Sequence, residues 1–142
     1  MIRIATINDI QKLIPVLKVL RPTRTEEELA KLLEILFEEG YKLAFIGDDE
    51  IAFSAIGFRI QTFLYSGKTL YIDDLVTLDN HRKKGYGKLL LDFAKNFAKD
   101  TNCETFSLDS GIMRKDAHRL YLNEGFDIDC LHFACKVDTF KI

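Results

Sequence analysis

The segment that most limits how this chain folds lies within residues 70–109. An apolar run, residues 70–78, meets a basic turn with two glycines, Arg82-Lys83-Lys84-Gly85-Tyr86-Gly87-Lys88. A helix-period stretch follows, with Leu89, Leu90, Phe93, Ala94, Phe97 and Ala98 on one side and Lys88, Asp92, Lys95 and Lys99 on the other. Residues 105–109 then read as a second strand. Two strands joined through a helix run parallel, and the crossover is right-handed. The turn itself predicts an anion cradle. Gly85 and Gly87 let the backbone turn tightly with its N–H groups inward, and the positive end of the next helix faces the same point. Arg82, Lys83, Lys84 and Lys88 add charge around it.

The rest of the chain is patterned around this unit. Residues 3–7 read as a first strand, and Thr6 with Asp9 as a capping box for a helix through Ile10, Leu13, Ile14 and Leu17. Pro15 removes an interior hydrogen bond, which predicts a kinked or broken helix. After a linker at residues 21–25, Thr25 caps a second helix that carries Glu26, Glu27 and Glu28 at its positive end and buries Leu29, Leu32, Leu33 and Leu36. Gly40 ends it. Residues 43–46, 51–65 and 69–78, separated by turns at 47–50 and 66–67, predict an antiparallel meander. A last helix over 116–124 stops at Gly125, and residues 126–128 with 131–137 read as a closing pair of strands.

At 142 residues the chain is expected to form one domain, 1–142. Its 47% apolar and 30% charged residues are those of a soluble globular protein, and no apolar run approaches the ~20 residues of a membrane span. The N-terminus reads as a strand, so export is not expected. A net charge of -2 and a pI near 5.9 argue against nucleic acid as a partner. Three cysteines, Cys103, Cys130 and Cys135, leave an odd thiol and predict a reducing, cytoplasmic setting. Cys130, His132 and Cys135 do not read as metal ligands, because alternation sets Cys135 on the opposite face from the other two. No metal is expected, and the thiols read as buried and structural.

The spacing of the basic turn is neither G-x-G-x-x-G nor G-x-x-x-x-G-K-[ST], so the two common nucleotide fingerprints are absent. R-x-x-G-x-G, placed after a strand ending in Asp73-Asp74-Leu75-Val76-Thr77, resembles the pyrophosphate loop of the GNAT superfamily of N-acetyltransferases. Further on, the run from Ala117 through Tyr121 and Gly125 to Phe126 resembles that family's second signature, A-x-x-x-Y-x-x-x-G-F. The order of elements matches over nearly the whole chain. The resemblance implies an α/β fold of GNAT type: a mostly antiparallel sheet with one parallel pair that splays apart, and helices on both faces. It implies acetyl-CoA as co-substrate, an amine acceptor and direct transfer without an acyl-enzyme. Neither nucleic acid nor membrane is implied as a partner, and a homodimer is left open.

The same resemblance assigns roles to residues. Main-chain groups of Leu75, Val76 and Thr77 are expected to pair with the pantetheine arm, and Arg82, Lys83, Lys84, Gly85, Tyr86, Gly87 and Lys88 to hold the pyrophosphate. Asp73 takes the place of a general base and Asp74 that of a substrate contact or structural residue; alternation puts only one of them in the cleft. Tyr121 stands where many members carry the acid that protonates the departing thiolate. Where many members have Asn before the last helix, this chain has Ser110-Gly111-Ile112-Met113-Arg114, with Ser110 or Arg114 as substitutes toward the coenzyme. His81 reads as a loop residue, His118 as an exposed or capping one, and His132 as lying on a strand face without a partner. The acidic pair favours a small cationic acceptor over a protein N-terminus. Two other readings stay open: an acyl-CoA binding or sensing domain without turnover, and a nucleotide-binding regulatory module.

Overall fold

The computed structural model describes residues 1–141 and divides the chain into two compact units, Met1–Leu108 and the residues from Asp109 on. The first unit holds a five-stranded sheet in the order β1 (Ile2–Ile4), β2 (Lys42–Gly47), β3 (Ala52–Phe63), β4 (Gly67–Thr77), β5 (Thr105–Leu108). Every pair is antiparallel except β4 and β5, which are parallel as the crossover requires. Helices α1 (Ile10–Leu20) and α2 (Glu26–Glu38) cover one face. Leu13, Leu17, Leu29 and Leu33 from these helices pack there with Leu43, Phe45, Ala55 and Val76. Helix α3 (Tyr86–Asp100) covers the other face, where Phe97 meets Phe58 edge-on at 5.1 Å.

Thr6 and Thr25 both cap as expected, and Thr25 forms a full capping box as well. Thr6 and Asp9 cap a short 3-10 turn, Ile7–Asp9, and Thr25 with Glu28 caps α2. A cap of this kind contributes about 1 kcal/mol. Helix α1, by contrast, is not broken at Pro15. Pro15 and Gln11, whose carbonyl loses its partner, are both exposed, so water can take that carbonyl's hydrogen bond. The apolar face on the other side holds the helix together. Two burial expectations differ: Leu91 is buried and Leu89, expected on that face, is exposed, and Leu32 is 36% exposed at the edge of α2.

In the second unit, α4 (Lys115–Asn123) forms where expected and ends at Gly125, which has φ +95°. The closing strands do not form. Residues 126–136 carry no strand, and Leu131 and Phe133 are exposed. An alternating apolar run becomes a strand only when a sheet edge pairs with it, and none does so here. The buried-thiol expectation also fails, because Cys130 and Cys135 are exposed and Cys103 is partly so. No described helix is long and apolar enough to cross a membrane.

Candidate active site

The site begins with an interruption in the sheet. β4 pairs with β5 from Thr69 to Ile72 only, so, among the described residues, 73–77 have no paired strand on that side. On the other side they pair with β3. Antiparallel ladders alternate between pairs that exchange hydrogen bonds and pairs that do not. Leu78 N–H donates to Phe53 at 2.8 Å, so Ala55 and Val76 form the next bonded pair. The Val76 carbonyl also accepts from Ser54 Oγ at 3.1 Å. Leu75 and Thr77 therefore turn their main-chain groups to the open edge. Val76, expected to do so as well, turns its own toward β3.

One extra residue in β4 then changes which side chains share a face. Gly57 pairs with Asp74 and Phe58 with Ile72, so Asp73 is bulged out of the ladder. Paired residues share a face, which puts Ile72 with Phe58 on the α3 side and Asp73 opposite. Past the bulge, Asp74 and Val76 also lie on the α1–α2 side. Alternation alone would have separated the two acids, but the bulge sets both on one face.

A charged network fixes them there. Arg59 grips Asp73 through Nε, at 3.0 Å from Oδ2, and through Nη2. Tyr41 donates its hydroxyl to Asp74 Oδ2 at 2.8 Å, and Arg21 Nη2 reaches Asp74 Oδ1 at 3.1 Å. The Arg59 guanidinium also lies 5.7 Å from the centre of the Tyr41 ring. Burial raises the Asp73 carboxyl above its ordinary range, against the pull of Arg59, and the neighbouring Asp74 raises it further. Burial and Asp74 together push the Tyr41 phenol far up, so it stays a donor. Tyr41 and Arg59 were not among the expected site residues, whereas Arg21 opens the linker at 21–25, where the family resemblance implies that the acceptor is gripped. The one local signal was Gly57, a lone glycine inside a strand, which marks a bulge or a close approach.

Both marks apply, because a Cβ on Gly57 would stand 1.6 Å from the Tyr41 hydroxyl oxygen. Gly57→Ala is therefore expected to displace Tyr41, break its bond to Asp74 and cost about 1–3 kcal/mol, readable by urea denaturation. Unchanged stability would mean that Tyr41 moves aside freely.

Beside Asp74, a cavity of about 210 Å³ opens between α1, α2 and β4. Leu17, Leu20, Leu29, Leu33 and Tyr41 contribute to its wall, together with the more exposed Arg21 and Arg24. Lys18 holds the α1–α2 linker in place through the carbonyls of Pro22, at 3.1 Å, and Arg24.

The other end of β4 leads into the basic turn. Lys83 has φ +64° and Gly85 φ +82°, so Gly85 supplies the left-handed residue that caps α3. Gly87 is already helical, so it does not turn the chain. No side chain caps this helix end, and the first internal bond starts at Leu89, which donates to Gly85 at 3.1 Å. The amides of Tyr86 and Gly87 precede that bond and have no acceptor inside the helix, the arrangement that accepts a phosphate. Arg82, Lys83, Lys84 and Lys88 are exposed around it; Arg82 contacts Asp79 at 3.2 Å and Lys88 contacts Asp92 at 3.1 Å. His81 stacks on Phe53 with ring centres 4.0 Å apart and anchors the turn. Open edge and uncapped helix end fit a pantetheine arm carrying a pyrophosphate.

In the unit from Asp109 on, Tyr121 packs edge-on against Phe126, ring centres 5.8 Å apart. Burial raises its phenol above the ordinary value, with Arg114 opposing. Ser110 Oγ is buried and has no hydrogen-bond partner among the described residues, an orphaned hydroxyl at a position expected to face the coenzyme. Arg114 precedes α4 without capping it. His118 Nε2 lies 2.8 Å from the Gly111 carbonyl. His132, expected to stand alone, is 3.1 Å from Asp109 because its segment is a loop and not a strand.

The fold and this site define an acyltransferase of the kind the two motifs suggested. The model of the Acetyltransferase (GNAT) family matches residues 10–126. The N-acetyltransferase YhdJ of Bacillus subtilis (strain 168), itself uncharacterised, is 36% identical over 125 residues, covering 87% of this chain and 88% of YhdJ. Among solved structures, a transcriptional regulator from Bacillus halodurans C-125 superposes with TM-score 0.85 at 20% identity, covering 96% of this chain and 98% of that one. An aminoglycoside N-acetyltransferase in complex with CoA superposes with TM-score 0.81 at 17% identity, covering 96% and 94%. The chain belongs to the GNAT family of acetyltransferases.

Proposed function

We propose that this protein transfers an acetyl group from acetyl-CoA to a primary amine of a small cationic molecule, directly, in a ternary complex. The observation that carries the reading is the open β4 edge at Leu75 and Thr77, continuous with the uncapped N-terminus of α3. Acetyl-CoA supplies an activated acyl carbon as a thioester. In the proposed step the amine nitrogen bonds to that carbon, the C–S bond breaks, and the electron pair leaves on sulfur. A main-chain N–H of the open edge polarises the carbonyl. Asp73 takes the proton lost by the amine through an intervening water, and Tyr121 protonates the departing thiolate. Ser110 and Arg114 are proposed toward the coenzyme and Asp74 toward the acceptor. We take the chain as one acetyltransferase domain, as supported by a family match that crosses both compact units. Three free cysteines support a cytoplasmic setting.

Thiol release from acetyl-CoA across a panel of amines tests the activity. Acetyl-CoA binding without release to any amine would favour the sensing domain over the enzyme. Within the acid pair, Asp73→Asn is expected to lower turnover about tenfold, short of the ~100-fold of a base in direct contact, because Arg59 already holds its oxygens. It should also remove the acidic limb of the pH–rate profile. That limb belongs above the usual carboxylate range, since the raised Asp73 accepts protons at higher pH. Asp74→Asn is expected to raise the acceptor KM and keep the limb. A wild-type profile in both variants would leave proton removal to solvent.

A further inference from the structure

The cavity beside Asp74 is unlike the charged groups next to it. Leucines of α1 and α2, with the Tyr41 ring, make most of its wall, and Asp74 is its one carboxylate among the described residues. That charge is already matched by Arg21 at 3.1 Å. Arg24, the other cation lining the space, is paired with Glu28 at 3.3 Å. The site thus offers a single anionic anchor, two guanidinium groups and an apolar surface.

We propose, resting on the acyl-transfer reading above, that the acceptor is a primary monoamine whose body is an aryl ring or short alkyl chain. Its nitrogen lies toward Asp74 and its body against Leu29, Leu33 and Leu36. Size permits this: an apolar cavity of about 150 Å³ accommodates a benzene ring, and this one measures about 210 Å³. Charge favours it. A second ammonium on the same molecule would find no second carboxylate in the lining and would meet Arg21 and Arg24, and an unpaired charge against leucines is strongly disfavoured. Polyamines and aminoglycosides are selected against by the same features.

The test compares 2-phenylethylamine and hexylamine with putrescine and spermidine, following thiol release from acetyl-CoA by the full chain. The apolar monoamines are expected to show at least about tenfold higher kcat/KM. Leu32 lines the cavity and is 36% exposed, so Leu32→Asp should fold normally. That variant is expected to raise the KM for 2-phenylethylamine about tenfold, with the KM for acetyl-CoA unchanged. Arg24→Glu should narrow the preference over putrescine. Equal or better turnover of putrescine and spermidine overturns the inference and leaves acyl transfer standing. Release with none of the four amines, while calorimetry registers acetyl-CoA binding, also overturns it. Absence of acetyl-CoA binding sinks the underlying reading, and the inference with it.

Discussion

Gly87→Val is expected to weaken acetyl-CoA binding by about 100-fold or more, a loss of ~2.7 kcal/mol, in a protein that remains folded. Gly87 occupies the first turn of α3, where the amides lack internal acceptors. A β-branched side chain there projects into the space a pyrophosphate must enter to reach them. The fold should tolerate the change, since Gly87 is helical and valine is a slightly better helix residue than glycine. Gly85 makes a poorer test, because its φ of +82° would strain any side chain and mix folding with binding. Calorimetry with acetyl-CoA, beside a thermal melt, separates the two effects. Wild-type affinity in a folded variant would remove the cradle from the proposed mechanism.

Tyr121→Phe is expected to reduce kcat about 100-fold while acetyl-CoA affinity stays within about twofold, because a proton donated to the leaving thiolate matters only as the C–S bond breaks. The raised phenol keeps its proton across the neutral range, so the donor is present wherever the enzyme is assayed. Phenylalanine preserves the edge-on contact with Phe126, which keeps packing out of the comparison. Single-turnover kinetics provides the measurement, since product release would mask a change in chemistry. Unchanged single-turnover rates would return Tyr121 to a purely structural role.

The sequence made the crossover unit legible because each of its parts is local. A glycine beside lysines, a strand before them and a 3.6-residue period after them are adjacent in the chain, and the parallel β4–β5 pair follows from their order. Capping by Thr6 and Thr25 was legible for the same reason, with each partner three residues away. The acid network was not. Tyr41 and Asp74 are 33 positions apart, Arg21 and Asp74 53, so no window of sequence contains the contacts. The bulge defeated strict alternation at Asp73 and Asp74, since period-2 reasoning assumes an uninterrupted ladder. Residues 131–137 had a strand's composition, but pairing is a property of two segments and cannot be read from one.

The bulge at Asp73 has a genetic consequence. Without it, a ladder containing both acids would invert every residue after Asp73, carrying Val76 out of the core and Asp74 to the α3 side. With it, the sheet absorbs an inserted residue and leaves everything downstream in phase. A one-codon deletion at position 73 would leave a regular ladder with Asp74, Leu75, Val76 and Thr77 still facing as they do now. A second carboxylate at this point is therefore modular: it can be gained or lost in a single indel without redrawing the core.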